Sequence, residues 1–387
     1  MSSLPSANWS YPTSVRFGAG RIRELPKAVT AAGMRNPLLV TDPGLAGLQM
    51  VADAIASLKE AGLEAAVFSD VKPNPLGSNI DAGVAAFKAG NHDGVIAFGG
   101  GSGLDAGKVI AFMSGQTRPV WDFEDIGDYW KRADDAGIAP IVAVPTTAGT
   151  GSEVGRAGVV TNEETHTKKI IFHPKMLPAT VICDPELTVG MPRMITVGTG
   201  MDALAHCLEA YSSPFYHPMS EGIALEGMRL VFENLPKVVA DGSDLEARGH
   251  MMSAAAMGAV AFQKGLGAIH SLSHPVGAIY DTHHGMTNAV FTPYVLQYNK
   301  PAIEQKFERL AGFLGFKGGY QGVLDAILKL REDLGVPHTL SGINVDGGKR
   351  ELIAEMAVVD PTAGGNPVEL TRDGALEIFD KALSGEV

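Results

Sequence analysis

Residues Val95–Lys108 read VIAFGGGSGLDAGK, an apolar run that ends in Gly99, Gly100 and Gly101 and opens into a helix-forming stretch at Ser102. A short apolar run closed by glycine and followed by helical periodicity reads as a buried parallel strand with its crossover helix. Three successive glycines let backbone come close to a ligand, and the first N–H groups of the helix would face a pyrophosphate. The run is neither the GxGxxG fingerprint nor a Walker A loop. Leu104 stands where the third glycine belongs, and Val109 follows Lys108 where Ser or Thr is required. Taken alone, it reads equally well as a tight turn with Ser102 as N-cap and Asp105 completing a capping box.

Outward from this stretch, short apolar runs alternate with amphipathic ones from about residue 35 to 190. The pattern predicts strands at Pro37–Thr41, Ala65–Phe68, Gly94–Phe98, Ile141–Val144 and Ala179–Cys183, with helices at Gly47–Ala61 and Ile80–Ala89 stopped by Gly62 and Gly90. After Pro185 the strand signals cease. Leu204, Cys207, Leu208 and Tyr211 recur at helical spacing, as do Met219, Ile223 and Leu230 with Glu226 as a polar exception. The expected architecture is an α/β dinucleotide-binding domain with a parallel sheet at 1–185 and a helical domain at 186–387, closely packed around a cleft.

A second small-residue loop, PTTAGTGSE at Pro145–Glu153, also follows a strand. Parallel sheets place ligands at the carboxyl ends of their strands, so two such loops favour a dinucleotide site over an ordinary turn. Asp42 follows the first predicted strand, where it could accept from an adenosine ribose or close an Asx turn before Pro43 and Gly44. On the first reading its charge would repel a 2′-phosphate and favour NAD over NADP.

The 387 residues are 45% hydrophobic and 19% charged, which is globular composition on a two-domain scale. A formal net charge of -12 without a dense basic run argues against nucleic acid as a partner. Two cysteines, Cys183 and Cys207, make no disulfide framework and suit a reducing, cytoplasmic setting. No apolar run is long enough for a membrane span, and the first residues lack a signal-peptide pattern.

The helical half carries the other chemistry. In GMDALAHCLEAY, Asp202 and His206 lie four apart and leave one helix face together, away from Leu204 and Leu208. In AIHSLSHPVGAIYDTHHG, His270, His274, His283 and His284 fall within fifteen residues. Either cluster alone is most often an exposed pair or a set of satisfied imidazoles. Together they hold enough donors for Fe(II), Zn or a similar divalent ion. Such an ion would stabilise an alkoxide, the form in which an alcohol gives up a hydride, while a nicotinamide supplies the redox chemistry.

At these residues the sequence resembles the iron-containing (group III) alcohol dehydrogenase family, which includes lactaldehyde/1,2-propanediol and 1,3-propanediol oxidoreductases. GGGSGLDAGK, PTTAGTGSE, GMDALAHCLEAY and HSLSHPVGAIYDTHHG occur in family order along nearly the whole chain. The resemblance implies a dehydroquinate synthase-like fold and an NAD-linked oxidoreductase that interconverts a small primary alcohol or diol with its aldehyde. It implies Asp202, His206, His270 and His284 as ligands to Fe2+, with Zn2+ in related enzymes, and His274 beside the metal as a proton-relay group. It implies cofactor contacts from Asp42, Asn74, Gly99, Gly100, Ser102, Thr146, Thr147 and Lys168, and Asp105, in the same glycine-rich stretch, is expected among the cofactor-binding residues. A homo-oligomer, dimer or larger, is the family tendency.

Two departures bear on substrate. Gln263 and Lys264 stand where many members have Asn-Ala, and Val368 follows Asn366 and Pro367 where Arg is common. Lys264, six residues before His270, is either a helix-terminal cation or a partner for a substrate carboxylate, as in a semialdehyde or hydroxy acid. A dehydroquinate-synthase-like lyase would need several basic residues, and this stretch offers mainly Lys264. A sensor without turnover would need a signalling segment, and none is apparent.

Overall fold

The structure, a computed structural model, describes residues 11, 13–165 and 167–387. They divide into two compact units, Tyr11–Gly190 and Met191–Val387.

The first unit is built on a six-stranded, wholly parallel sheet in the order β1-β8-β5-β4-β2-β3. Its strands are β1 (Ser14–Phe17), β2 (Pro37–Val40), β3 (Ala66–Phe68), β4 (Gly94–Gly99), β5 (Ile141–Pro145) and β8 (Thr180–Cys183). The helices are α1 (Leu25–Ala31), α2 (Pro43–Ala46), α3 (Gln49–Glu60), α4 (Gly77–Ala89) and α5 (Gly101–Met113). On β4, Ile96 and Phe98 join one core with Leu25, Val29, Val51, Ala54 and Leu58 of α1 and α3. Ala97 faces the other way, and a Cβ on Gly107 of α5 would come within 2.7 Å of it. The sheet is therefore covered on both faces, which is why its central strands are apolar throughout. β2 pairs with both β3 and β4, so the chain reverses its direction of travel across the sheet between β2 and β4. Ligands of such sheets sit at that switch point, outside the carboxyl ends of the strands.

Two elements depart from the sequence reading. β1 was not expected: it is four residues long with a mostly exposed edge, and so carries no apolar run. β6 (Ala157–Asn162) and β7 (Thr167–Phe172) form a separate antiparallel hairpin, hidden by its lysines and threonines. Helix α4 does stop at Gly90, its C-cap, and the left-handed turn follows at Asn91 (φ 48°).

The second unit consists of α6 (Arg193–Ser212), α7 (Pro218–Ala240), α8 (Leu245–Ala261), α9 (Ala268–Tyr280), α10 (His284–Leu314), α11 (Gly319–Leu334), α12 (Arg350–Val359) and α13 (Arg372–Ser384). Helix α6 is buried on every side from Thr196 to Ser212, so Asp202 and His206 do not oppose an apolar face but lie inside the unit with it. The buried stripe of α7 runs through Ala224, Met228, Val231, Leu235 and Val238, displaced from the expected one; Met219 is 47% exposed. No helix among the described residues is long and apolar enough to cross a membrane.

Candidate metal centre and cofactor cradle

Asp202 and His206 project from α6, His270 from α9 and His284 from the first residue of α10. Gly285 lets α10 approach α6, because a Cβ there would lie 2.1 Å from the Gly198 carbonyl oxygen. The carboxylate of Asp202 stands at the centre. Its Oδ1 is 3.8 Å from His206 Nε2, 3.7 Å from His270 Nε2 and 3.7 Å from His284 Nε2. These separations are long for hydrogen bonds. They suit atoms sharing an ion, since tetrahedral ligands about 2.1 Å from a metal lie roughly 3.4 Å apart. Asp202, His206 and His270 are all buried and offer donors within 4.8 Å of one another. One carboxylate and several imidazoles is a donor set suited to Fe(II) or Zn(II), so the residues fit a divalent ion.

Burial opposes a charge on Asp202, but the imidazoles, His206 foremost, outweigh it and hold the carboxyl far below its usual range. Burial likewise opposes protonation of His270, and the Glu209 and Asp202 carboxylates overturn it, pushing His270 up to about 10. A site that pulls a proton onto an imidazole this strongly attracts a divalent cation for the same electrostatic reason.

Glu209 escaped the sequence reading although it lies on the same face of α6 as Asp202 and His206. Its Oε2 accepts from His270 Nδ1 at 2.5 Å, fixing the ring with Nε2 toward Asp202. Its Oε1 accepts from the backbone N–H of Ile269 at 2.6 Å and of His270 at 3.3 Å. Helix α9 has Gly267 as N-cap and no side-chain cap of its own. Glu209 and Asn366, whose Oδ1 accepts from Ala268 N at 3.1 Å, supply that cap from elsewhere in the fold. His274 Nδ1 bonds to Asp360 Oδ2 at 2.8 Å, and its ring stacks on that of His284 at 5.5 Å between centroids. Asp360 in turn accepts from the backbone and hydroxyl of Thr362. His283 stands apart: it caps α10, accepting from Met286 N at 3.3 Å, and faces Gly198.

Lys264 is 2% exposed and donates to Glu221 Oε1 at 2.8 Å and Ser213 O at 2.8 Å. Burial draws it down to about 8, against the pull of Glu221. The ammonium has a carboxylate within the fold, one that it shares with Lys306, whose Nζ lies 2.6 Å from the same Glu221 oxygen, and it does not point to water.

In the first unit, the switch point gathers the expected cofactor residues. Asp42 Oδ1 accepts from Gly44 N at 2.8 Å and Leu45 N at 3.1 Å as the N-cap of α2, so the Asx-turn reading holds for one oxygen. Oδ2 lies 3.7 Å from the position a Cβ on Gly99 would take. Gly99 has φ +145°, and Thr146 N donates to its carbonyl at 2.9 Å. A Cβ on Gly100 would meet Thr147 at 3.1 Å, so the two small-residue loops touch. Helix α5 begins at Gly101 with Gly100 as N-cap and no side-chain acceptor, leaving its first N–H groups to an anion. This arrangement fits a dinucleotide pyrophosphate.

Two expectations here need correction. Ser102 is not the N-cap; its hydroxyl donates to Pro73 O, tying α5 to the loop that holds Asn74. Asp105 does not close a capping box, and its carboxylate is engaged by the Ser152 hydroxyl and by Val159 N at 3.0 Å. With Lys108, which donates to Ser152 O at 2.8 Å, it fastens α5 to the Pro145–Glu153 loop. Lys168 pairs with Thr161 in the hairpin, and Thr161 N donates to Pro75 O at 2.7 Å, one residue from Asn74.

Family models decide what this combination is. Residues 12–185 match the iron-containing alcohol dehydrogenase model, and residues 196–383 match the C-terminal model of the Fe-containing alcohol dehydrogenase family. The chain belongs to the iron-containing alcohol dehydrogenase family. This dehydrogenase is 36% identical over 383 residues to a 4-hydroxybutyrate dehydrogenase of Cupriavidus necator, covering 96% of this chain and 99% of the relative. It is 33% identical over 384 residues to an NAD-dependent methanol dehydrogenase of Bacillus methanolicus, covering 97% and 100%. A crystal structure of 1,3-propanediol oxidoreductase superposes with a TM-score of 0.93 at 35% identity, covering 98% of this chain and 100% of the other. The protein is an iron- and NAD(H)-linked oxidoreductase that interconverts an alcohol and its aldehyde.

Proposed function

We propose that this dehydrogenase acts on small neutral primary alcohols or diols and their aldehydes, with Asp202, His206, His270 and His284 holding its ion and His274 handling the hydroxyl proton. The observation that carries the substrate reading is the burial of Lys264, whose ammonium is held within the fold by Ser213 O and by Glu221 Oε1, an oxygen it shares with Lys306. The ion's surroundings are otherwise acidic, with Asp202, Glu209 and Asp360 all at hydrogen-bond or ligand distance from the imidazoles. A substrate carboxylate would meet like charge there, whereas a hydroxyl would not.

A divalent ion in this set supplies Lewis-acid polarisation of the substrate oxygen, and NAD supplies the hydride acceptor. The chain's own residues do the rest. Asp202 concentrates negative charge where the cation is held. Glu209 keeps His270 in the tautomer whose Nε2 carries a lone pair. Asp360 holds His274 Nδ1, so that Nε2 remains to exchange a proton, and its charge stabilises the imidazolium that results. Asp42, Asn74, Gly99, Gly100, Ser102, Thr146, Thr147 and Lys168 bind and orient the dinucleotide, with the Asp42 charge favouring NAD. The family supports cytoplasmic residence and a homo-oligomer.

The test is NADH oxidation by the iron-loaded protein on propanal and on a four-carbon semialdehyde carboxylate, in the parent and in Lys264→Ala. A parent that prefers propanal, with both substrates affected alike by the substitution, supports the reading. Preference for the carboxylated aldehyde, lost selectively in Lys264→Ala, would overturn it.

A further inference from the structure

Asn288 lies one helical turn beyond His284 on α10 and is wholly buried. Its Nδ2 is 2.7 Å from Asp202 Oδ1, 3.2 Å from His270 Nε2 and 3.2 Å from His284 Nε2. One amide nitrogen thus faces three of the four donor atoms at once. Its orientation is dictated by chemistry: an ionised carboxylate only accepts, so the opposite setting would press a carbonyl oxygen against Asp202 Oδ1. The Asn288 Oδ1, turned away, is buried and has no hydrogen-bond partner among the described residues. A core amide with one satisfied end and one orphaned end is a cost the fold bears for the end that faces the donors.

The three contacts define a triangle, Asp202–His270–His284, which is one face of the four-donor set. We infer that Asn288 closes this inner face to any further ligand and fixes the direction of Asp202 Oδ1, making it the residue that decides from which side an exogenous oxygen can reach the ion. The faces that include His206 are left for substrate. One of them is bordered by Phe262, whose ring packs on His206 at 5.1 Å. Asn288 is therefore a positioning and specificity residue, acting through the ligands and by exclusion, and not a fifth ligand. The inference rests on the assignment of Asp202, His206, His270 and His284 as the ligand set.

The experiment uses the full chain, stripped with chelator and reloaded with Co2+, whose visible absorption weakens as coordination number rises. Zn2+ affinity is measured in parallel by chelator competition. In Asn288→Ala, water gains access to the inner face: the Co2+ band should weaken and the Zn2+ dissociation constant should rise about 10- to 100-fold. Asn288→Asp keeps the shape but sets a carboxylate against Asp202, a repulsion that a cation relieves. It should bind Zn2+ more tightly than the parent while its Co2+ band also weakens. A parent that takes up Co2+ together with unchanged spectra and affinities in the variants overturns the inference alone. A parent that takes up neither metal overturns the ligand assignment and the inference with it.

Discussion

Replacing Glu209 separates two jobs that one carboxylate performs. Glu209→Gln retains an oxygen able to accept from Ile269 N and His270 N, but loses the charge that holds His270 Nδ1. Losing such a partner behind a metal-bound histidine costs about 10- to 100-fold in metal affinity, or about 1.4–2.7 kcal/mol. The metal-free protein should lose some stability near neutral pH, because the buried His270 imidazolium loses its main counter-charge, but it keeps the helix cap. Glu209→Ala removes the cap as well. It orphans two buried N–H groups at about 1–3 kcal/mol each, so stability should fall by about 2–4 kcal/mol with partial relief from water. Chelator competition for Zn2+ and thermal unfolding with excess chelator give the two readings separately. If Glu209→Gln binds Zn2+ as tightly as the parent, the coupling of Glu209 through His270 to the ion is refuted. If Glu209→Ala unfolds where the parent does, the cap argument fails instead.

The remaining expectations are simpler. His270→Ala should lose metal, by elemental analysis, and turnover together, whereas His274→Ala should keep most of the metal and lose about 10²- to 10⁴-fold in kcat; equal metal loss in both would undo the division of roles. Asp42→Asn preserves the cap of α2 but removes the charge, so the NADP/NAD ratio of kcat/KM should rise about 10- to 100-fold; a parent that already prefers NADP would show that Asp42 does not face the ribose. Burial pushes Glu153 up to about 7, against the pull of Lys108. The folded chain then holds this proton more tightly than the unfolded one, and stability falls as pH rises from about 4.5 through 7. Glu153→Gln should therefore melt higher than the parent at pH 8, by up to about 3 kcal/mol, and alike near pH 4.5; a pH-independent difference would contradict this.

Much of the first unit was legible because its central strands are short apolar runs punctuated by glycine, as β4 shows. The edge strand and the hairpin were not, since an exposed or two-sided polar strand has no burial to impose a pattern. In the second unit, the spacing of Asp202 and His206 disclosed their common face. The same spacing continues to Glu209, seven residues past Asp202, and to Asn288, four past His284, and both could have been found by extending it. Asp360 could not: it meets His274 across 86 residues of chain, a distance that only tertiary packing closes. The surroundings of Lys264 were not legible, because sequence position does not reveal a buried counter-charge, and Glu221 lies 43 residues before it.

The complete burial of α6 has a practical corollary for altering substrate range. From Thr196 to Ser212 no side chain reaches solvent freely, so almost any change there is paid in folding before it is expressed in chemistry. Random mutagenesis across the whole chain would discard many of its variants in this helix. A library confined to residues such as Phe262, partly exposed and in contact with His206, would search the space beside the ion while leaving the buried helix that holds Asp202 and His206 unchanged.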